Sequence, residues 1–162
     1  MLVALAASAQ READSDERER NWKEIEAKIP PYPKPENLVS FGLAKASPHR
    51  FFIDSQSLSQ GEDGVMRYVL VVKAEGGATN VTFEGIRCET REQKYYAVGN
   101  AGGSWTQARD PRWRHIGFQE ASAQSALFDE YFCANPRRPA TPGQALQALK
   151  SYGTRFGAPS SD

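Results

Sequence analysis

The chain has 162 residues, enough for one domain that buries roughly 70% of the surface its unfolded form exposes, so a core can form without metal or extra crosslinks. With 40% hydrophobic and 10% aromatic residues it is globular rather than disordered. Twenty basic side chains against 20 acidic ones leave no net charge, which argues against nucleic acid as the main partner, because a phosphate-binding surface shows as a basic excess.

Residues 1–9 open an apolar run, MLVALAASAQ, that closes on Ala7-Ser8-Ala9, the small-x-small pattern after which signal peptidases cut. The run is far shorter than the ~20 residues a membrane-spanning helix needs, and no basic residues precede it. We read it as the remnant of a secretory signal with cleavage after Ala9; the competing reading is an ordinary apolar helical turn. Residues 11–26, READSDERERNWKEIE, carry 11 charged side chains in 16 positions, and a flexible tether is expected over 10–20, an acidic docking tail being the alternative. Trp22, Ile25 and Ile29 recur at helical spacing and predict a short helix over 21–28 with Asn21 as its cap.

Pro30, Pro31, Pro33 and Pro35 surround Tyr32, forbid helix and favour an extended strap across the surface. Segments 38–54 then read as one or two strands, and the polar, glycine-bounded stretch 55–64 as a loop whose two acidic residues are too few for a calcium site. Val65 to Ala74 is apolar on both faces, the mark of a central strand. Glu75 to Ala78 supplies a glycine turn into a second strand. Strict alternation along that strand would group Ile86 and Cys88 with Thr82 and Glu84, so a bulge at Gly85 is expected, turning Val81, Phe83, Ile86 and Cys88 all inward. Asn80-Val81-Thr82 matches a glycosylation acceptor, read here as a chance match inside a strand.

Two cysteines in a chain with a secretory start point to one disulfide, Cys88 to Cys133, worth on the order of 4 kcal/mol in the chain-entropy model. Two free core thiols, or a metal or redox pair, are the alternatives. Between the cysteines, Gln93 to Gly99 and Ser104 to Arg109 read as a hairpin and Trp113 to Ile116 as a short strand. Ser122 to Cys133 reads as an amphipathic helix. Thr141-Pro142-Gly143-Gln144 opens a last helix with a capping box, carries Leu146, Leu149 and Tyr152 on one stripe, and is expected to stop at Gly153, with the tail FGAPSSD fraying.

The catalytic signatures sought, phosphate-binding and dinucleotide loops, nucleophile elbow and paired-histidine metal motif, do not occur, and His49 and His115 are the chain's two histidines. One constellation stands out: Arg67, Arg87, Tyr95, Trp105 and Trp113, with Lys94, Tyr96, Arg109 and Arg114 beside them, combine guanidinium forks with aromatic platforms suited to sugars or anionic ligands. The structural alternative has the aromatics in the core and the arginines paired with Glu84, Glu89 and Glu92.

The string GEDGVMRYVLVVKAEGGATNVTFEGIRC, followed by EQKYYAVG, a tryptophan-bearing hairpin and FDEYFC, resembles the CNP-one-like family of secreted Gram-negative proteins over roughly Trp22 to Cys133. The resemblance implies a single envelope domain with a periplasmic address and supplies no catalytic residues. The expected architecture is α+β: a mostly antiparallel sheet of about five or six strands packed by one or two helices, with one disulfide. The expected organisation is a signal remnant at 1–9, a tether at 10–20, the family domain at 21–135, and a linker, helix and tail at 136–162. The expected function is a non-catalytic periplasmic binding or accessory module, monomeric, without cofactor, metal or membrane span, that takes an envelope protein or an anionic or sugar ligand. The alternatives are a hydrolase-type enzyme with its site on the Arg67, Arg87 and Trp105 surface, and a structural partner docking through the C-terminal helix.

Overall fold

The computed structural model describes residues 2–118, 121–136 and 138–156. At its centre lie β4 (Val65–Lys73) and β5 (Thr79–Arg87), joined by a turn in which Gly77 takes a φ of 91°, open to glycine without strain. Alternation puts Met66, Tyr68 and Leu70 on one face of β4 and Val65, Arg67, Val69 and Val71 on the other, and none of these is more than 6% exposed. Both faces of the sheet therefore have to be covered, and the chain does so from its two opposite ends.

Among the described residues the sheet is antiparallel and has eight strands, with β1 (Leu38–Phe41), β2 (Arg50–Asp54), β4, β5, β6 (Glu92–Gly99) and β7 (Trp105–Gln107) side by side in that order. Two short strands complete it: β3 (Ser59–Gln60) pairs with β4, and β8 (Arg114–His115) pairs with β6. β3 forms inside the stretch expected to be loop, which helps lift the strand count above the five or six expected.

One face carries the helices. α2 begins as a helix over Ala123–Ala126, with the Ser122 hydroxyl accepting from the Ser125 amide, and continues as π-helical turns over Leu127–Phe132. Its Leu127 and Phe132 pack with Tyr68, Ile86, Ile53 and Leu149 in the larger core. Cys133 follows directly and is bonded to Cys88 just beyond β5, the two α-carbons 5.3 Å apart and within ordinary disulfide reach. A second clasp holds the same corner: Arg91, at a φ of 53°, donates to both carboxylate oxygens of Asp129 at 2.6 and 3.0 Å and to the Ile116 carbonyl at 3.0 Å. α3 (Pro142–Phe156) has the expected capping box, Thr141 Oγ1 accepting from the Gln144 amide while Gln144 Oε1 accepts from the Thr141 amide. α3 does not stop at Gly153. A helical glycine costs only about 1 kcal/mol against alanine, and the fully buried Ala145 and Leu149 anchor the helix to the core. Beyond Phe156, the tail expected to fray lies outside the described residues.

The other face is closed by the N-terminal segment. α1 (Leu2–Asn21) is one continuous helix where a tether was expected over 10–20, and the short helix expected over 21–28 does not form. From residue 22 to 34 the chain is instead a non-helical strap, because its backbone and side chains find partners on the sheet. The Ile25 amide donates to Asp63 Oδ2 at 2.9 Å and the Ile25 carbonyl accepts from Arg67 at 2.9 Å, which an intrahelical ladder would preclude. Ala27 and Tyr32 complete a second, smaller core with Val69, Val71, Val81 and Phe83.

The bulge expected at Gly85 is absent. β4 and β5 pair without interruption from Val65 opposite Arg87 to Lys73 opposite Thr79, with Gly85 opposite Arg67. The phase conflict that suggested a bulge dissolves because both faces of β5 are buried: Val81 and Phe83 lie under the strap, Ile86 and Cys88 under the helices. The irregularity falls on the next pairing, where Phe83 faces Ala97 and Glu84 faces Tyr95, leaving Tyr96 as the extra residue of β6. Gly85 is required for another reason: a Cβ there would come within 2.9 Å of both the Tyr96 ring and Val65. Gly85→Ala is expected to lower the unfolding free energy by about 1–3 kcal/mol in urea titrations, an overpacking cost; an unchanged value would show that the Tyr96 ring is free to move aside.

Candidate functional site

Four of the five residues expected to bind a ligand, Arg67, Arg87, Trp105 and Trp113, come together on the strap face, and the strap and the end of α1 already satisfy each of them. Arg67, 6% exposed, makes two hydrogen bonds to Asp63, at 3.1 and 2.7 Å, and sits 5.6 Å from the Tyr96 ring centroid. Arg87, 4% exposed, lies 3.6 Å over the Trp22 ring and donates to both carboxylate oxygens of Glu19 at 3.1 and 2.9 Å, with Glu92 at 3.4 Å. Trp105 Nε1 donates to the Pro30 carbonyl at 3.0 Å, and Trp113 stands edge-on to Trp22 while its Nε1 donates to Glu24 at 3.2 Å. Glu24 also accepts from Lys94 at 2.7 Å and from the Tyr96 hydroxyl at 2.8 Å.

The electrostatics of this face are those of a closed network. Burial alone would raise the Glu24 and Asp63 carboxyls. The hydrogen bonds they accept, from Lys94, Tyr96 and Trp113 in one case and from Arg67, the Ile25 amide and the Val65 amide in the other, hold both below their ordinary values. Of the arginine partners considered from sequence, Glu92 does reach Arg87, while Glu84 lies on the opposite face; the main partners are Asp63 and Glu19.

Tyr95, the fifth expected residue, faces the helix side. There it meets Glu84, a carboxylate 1% exposed with no ion pair among the described residues. Glu84 accepts from Thr82 Oγ1 at 2.6 Å, from the Tyr68 hydroxyl at 2.9 Å, and from Gln124 Nε2 at 3.0 and 3.2 Å. The same Gln124 nitrogen lies 3.4 Å from the Tyr95 hydroxyl. Burial pushes the Glu84 carboxyl up, and its hydrogen bonds only partly counter that. Burial, then the charge of Glu84, pushes the Tyr95 phenol up to about 12.

Tyr95 opens onto a groove of about 440 Å³ at the β6–β7 end of the sheet, whose wall includes Val98, Thr106, Arg109, Asp110 and Arg114. Val98 leaves 44% of its surface exposed in the groove. Asp110 is held at about 2, first by Arg112 and then by Arg114, which donate to it at 2.6 to 2.7 Å; Arg109 has no carboxylate partner among the described residues. The rim is thus cationic and the floor partly apolar. A groove of the same size on the strap face is lined by Lys94, Tyr96 and the exposed Ile25 and Ile29 rather than by the two buried arginines. No group of three or more histidine, cysteine or carboxylate side chains is placed to hold a metal, and no helix is long and apolar enough to cross a membrane, both among the described residues.

The family model described as CNP1-like matches residues 17–150. The chain belongs to the CNP1-like family. That span takes in the strap, the sheet, α2 and most of α3, so the covering elements of both faces fall within the family match. A curated relative, "Cryptic neisserial protein 1" of Neisseria gonorrhoeae, is 28% identical over 167 residues, covering 93% of this chain and 81% of the relative. No solved structure matches the chain.

Sequence reasoning reached Tyr95 but missed its backing residues, Glu84 and Gln124. Strict alternation did place Glu84 on the side of Ile86 and Cys88; that signal was present and was overridden by the bulge expected at Gly85. Because its folded-state proton affinity is raised, Glu84 contributes stability that is complete below the ordinary glutamate value of 4.5 and is lost as pH rises through the shifted value. Glu84→Gln should therefore gain stability relative to the wild-type chain as pH is raised above 4.5, seen as a pH-dependent difference in urea midpoints. A constant difference across pH would mean that Glu84 does not titrate with folding.

Proposed function

We propose that this protein is a non-catalytic binding module of the bacterial cell envelope, working in the periplasm and taking a small organic anion in the Tyr95 groove. The observation that carries the ligand class is the rim: Arg109 and Arg114 stand against Asp110, which Arg112 also engages, beside an exposed apolar side chain and a phenol. Such a surface suits a ligand with a ring or short chain to lie on Val98 and a carboxylate, sulfate or phosphate to meet the guanidinium groups. The volume fits a ligand of that kind, at the lower end of the usual range for small-molecule sites.

The compartment is supported by the buried Cys88–Cys133 bond, which would not persist in a reducing cytosol, and by the small-x-small pattern ending at Ala9. A hydrolase-type site on the Arg67, Arg87 and Trp105 surface finds less support, since those guanidinium groups are hydrogen-bonded to the protein's own carboxylates, Asp63 and Glu19. Docking through α3 likewise has less to offer, because Ala145 and Leu149 of its apolar stripe are fully buried in the core.

Fluorescence titration with anilinonaphthalene sulfonate, an aromatic sulfonate, is the direct check. Saturable one-to-one binding is expected, weakened about three- to tenfold by Arg109→Ala and more by Val98→Asp, while Arg50→Ala on the far edge leaves it unchanged. Equal binding by all of these variants would refute the groove as the site.

A further inference from the structure

The wall of the Tyr95 groove leads into the core through one side chain, Gln124, which touches Tyr95 on one side and the buried Glu84 on the other. We propose that the groove is coupled to proton uptake at Glu84, so that it holds an anion more tightly when this carboxylate is neutral. The inference rests on the groove being the binding site, and adds to that reading what regulates it.

Among the described residues, the elements packed around Glu84 present no cation to it. β4 offers the Tyr68 hydroxyl, β5 the Thr82 hydroxyl, β6 the Tyr95 phenol and α2 the Gln124 amide, all neutral donors. Arg114, on β8, acts on Tyr95 and is itself engaged with Asp110, and the other charges of the rim stand in solvent beyond Tyr95. An ionised Glu84 is therefore an unpaired charge one side chain behind the groove wall, where the low local dielectric lets it act on whatever binds there. Its sign opposes an anion.

The hydrogen-bond inventory supports both states of the carboxyl. Ionised, it accepts from Thr82, Tyr68 and Gln124, which fixes the Gln124 amide with its nitrogen toward the Tyr95 oxygen. The phenol then accepts from Gln124 and keeps its own proton to donate elsewhere. Neutral, the carboxyl holds a proton that has come from solvent, and Thr82 Oγ1, 2.6 Å from Oε1, can accept it by turning its own O–H away. Only an O–H bond forms or breaks. Gln124 keeps its place in both states, so the ligand would sense the change as charge rather than as movement.

The test is the pH dependence of anilinonaphthalene sulfonate binding between about pH 5 and pH 8, a range in which the sulfonate stays ionised. The wild-type protein should bind roughly fivefold or more tightly at the acidic end. Glu84→Gln should bind tightly with no such dependence. Thr82→Val, which removes a donor to the ionised form, should move the midpoint of the wild-type transition to higher pH. Wild-type affinity that is level across the range overturns the coupling while leaving the groove intact. A response that survives in Glu84→Gln also overturns it, since the titrating group would then be another. Should Glu84→Gln fail to fold, an unshifted midpoint in Thr82→Val overturns it instead. If Val98→Asp binds as the wild-type chain does, the groove is not the site and both readings fall.

Discussion

The fold depends on a sheet whose two central strands are apolar on both sides. A sheet with one wet face can be covered once, but β4 and β5 have no wet face over most of their length, and each fully buried side chain of the valine or leucine class is worth about 1.5–3 kcal/mol. The helices α2 and α3, from the C-terminal part of the chain, cover one side, and the strap from the N-terminal part covers the other. The two covers are held by different means. The helical layer is fastened covalently by Cys88–Cys133 and by the Arg91 clasp, whereas the strap is held by hydrogen bonds and ring contacts that end on Arg67, Arg87, Trp105 and Asn100.

That difference decides where a ligand can go. Removing one partner of a buried ion pair typically costs about 3–5 kcal/mol, so an Arg67 guanidinium matched to the buried Asp63 is poorly placed to be lent to a passing anion, and Arg87 is already engaged by Glu19 and the Trp22 ring. The arginines that remain open stand at the β6–β7 end, outside either cover. Behind them Glu84, 1% exposed, is left without a cation among the described residues. A glutamine could accept hydrogen bonds at the same position without the desolvation penalty of a charge, which makes a functional reason for the acid worth seeking.

Much of the fold was legible in the sequence. The alternation of VMRYVLVVK, the turn chemistry of EGGA, the capping box TPGQ and the count of two cysteines are local signals, and local physics sets those elements. What was not legible depended on partners far away in the chain. Residues 10–20 have little apolar surface of their own, and the contact that ties α1 to the sheet is Glu19 on Arg87, 68 residues distant. Trp22, Ile25 and Ile29 have helical spacing, but the sheet offers an extended backbone Asp63 and Arg67 as partners, and tertiary contacts outweigh a short helix with a costly nucleus. The arginines and aromatic rings do gather on one face, but what meets them there was not legible, because no rule of spacing says that a chain will fold its own glutamates onto it.

The central claim is that the strap closes the second face of the sheet, and the most direct measurement is the set of nuclear Overhauser contacts between the strap and the sheet in solution. The account predicts cross-peaks between the indole of Trp22 and that of Trp113, whose ring centroids are 5.9 Å apart, and between the rings of Tyr32 and Trp105 at 5.3 Å. Sharp, random-coil resonances for residues 19–32 with no contact to Trp113 or Trp105 would contradict it, and would reopen the surface around Arg67 and Arg87 as the place where this protein meets its ligand.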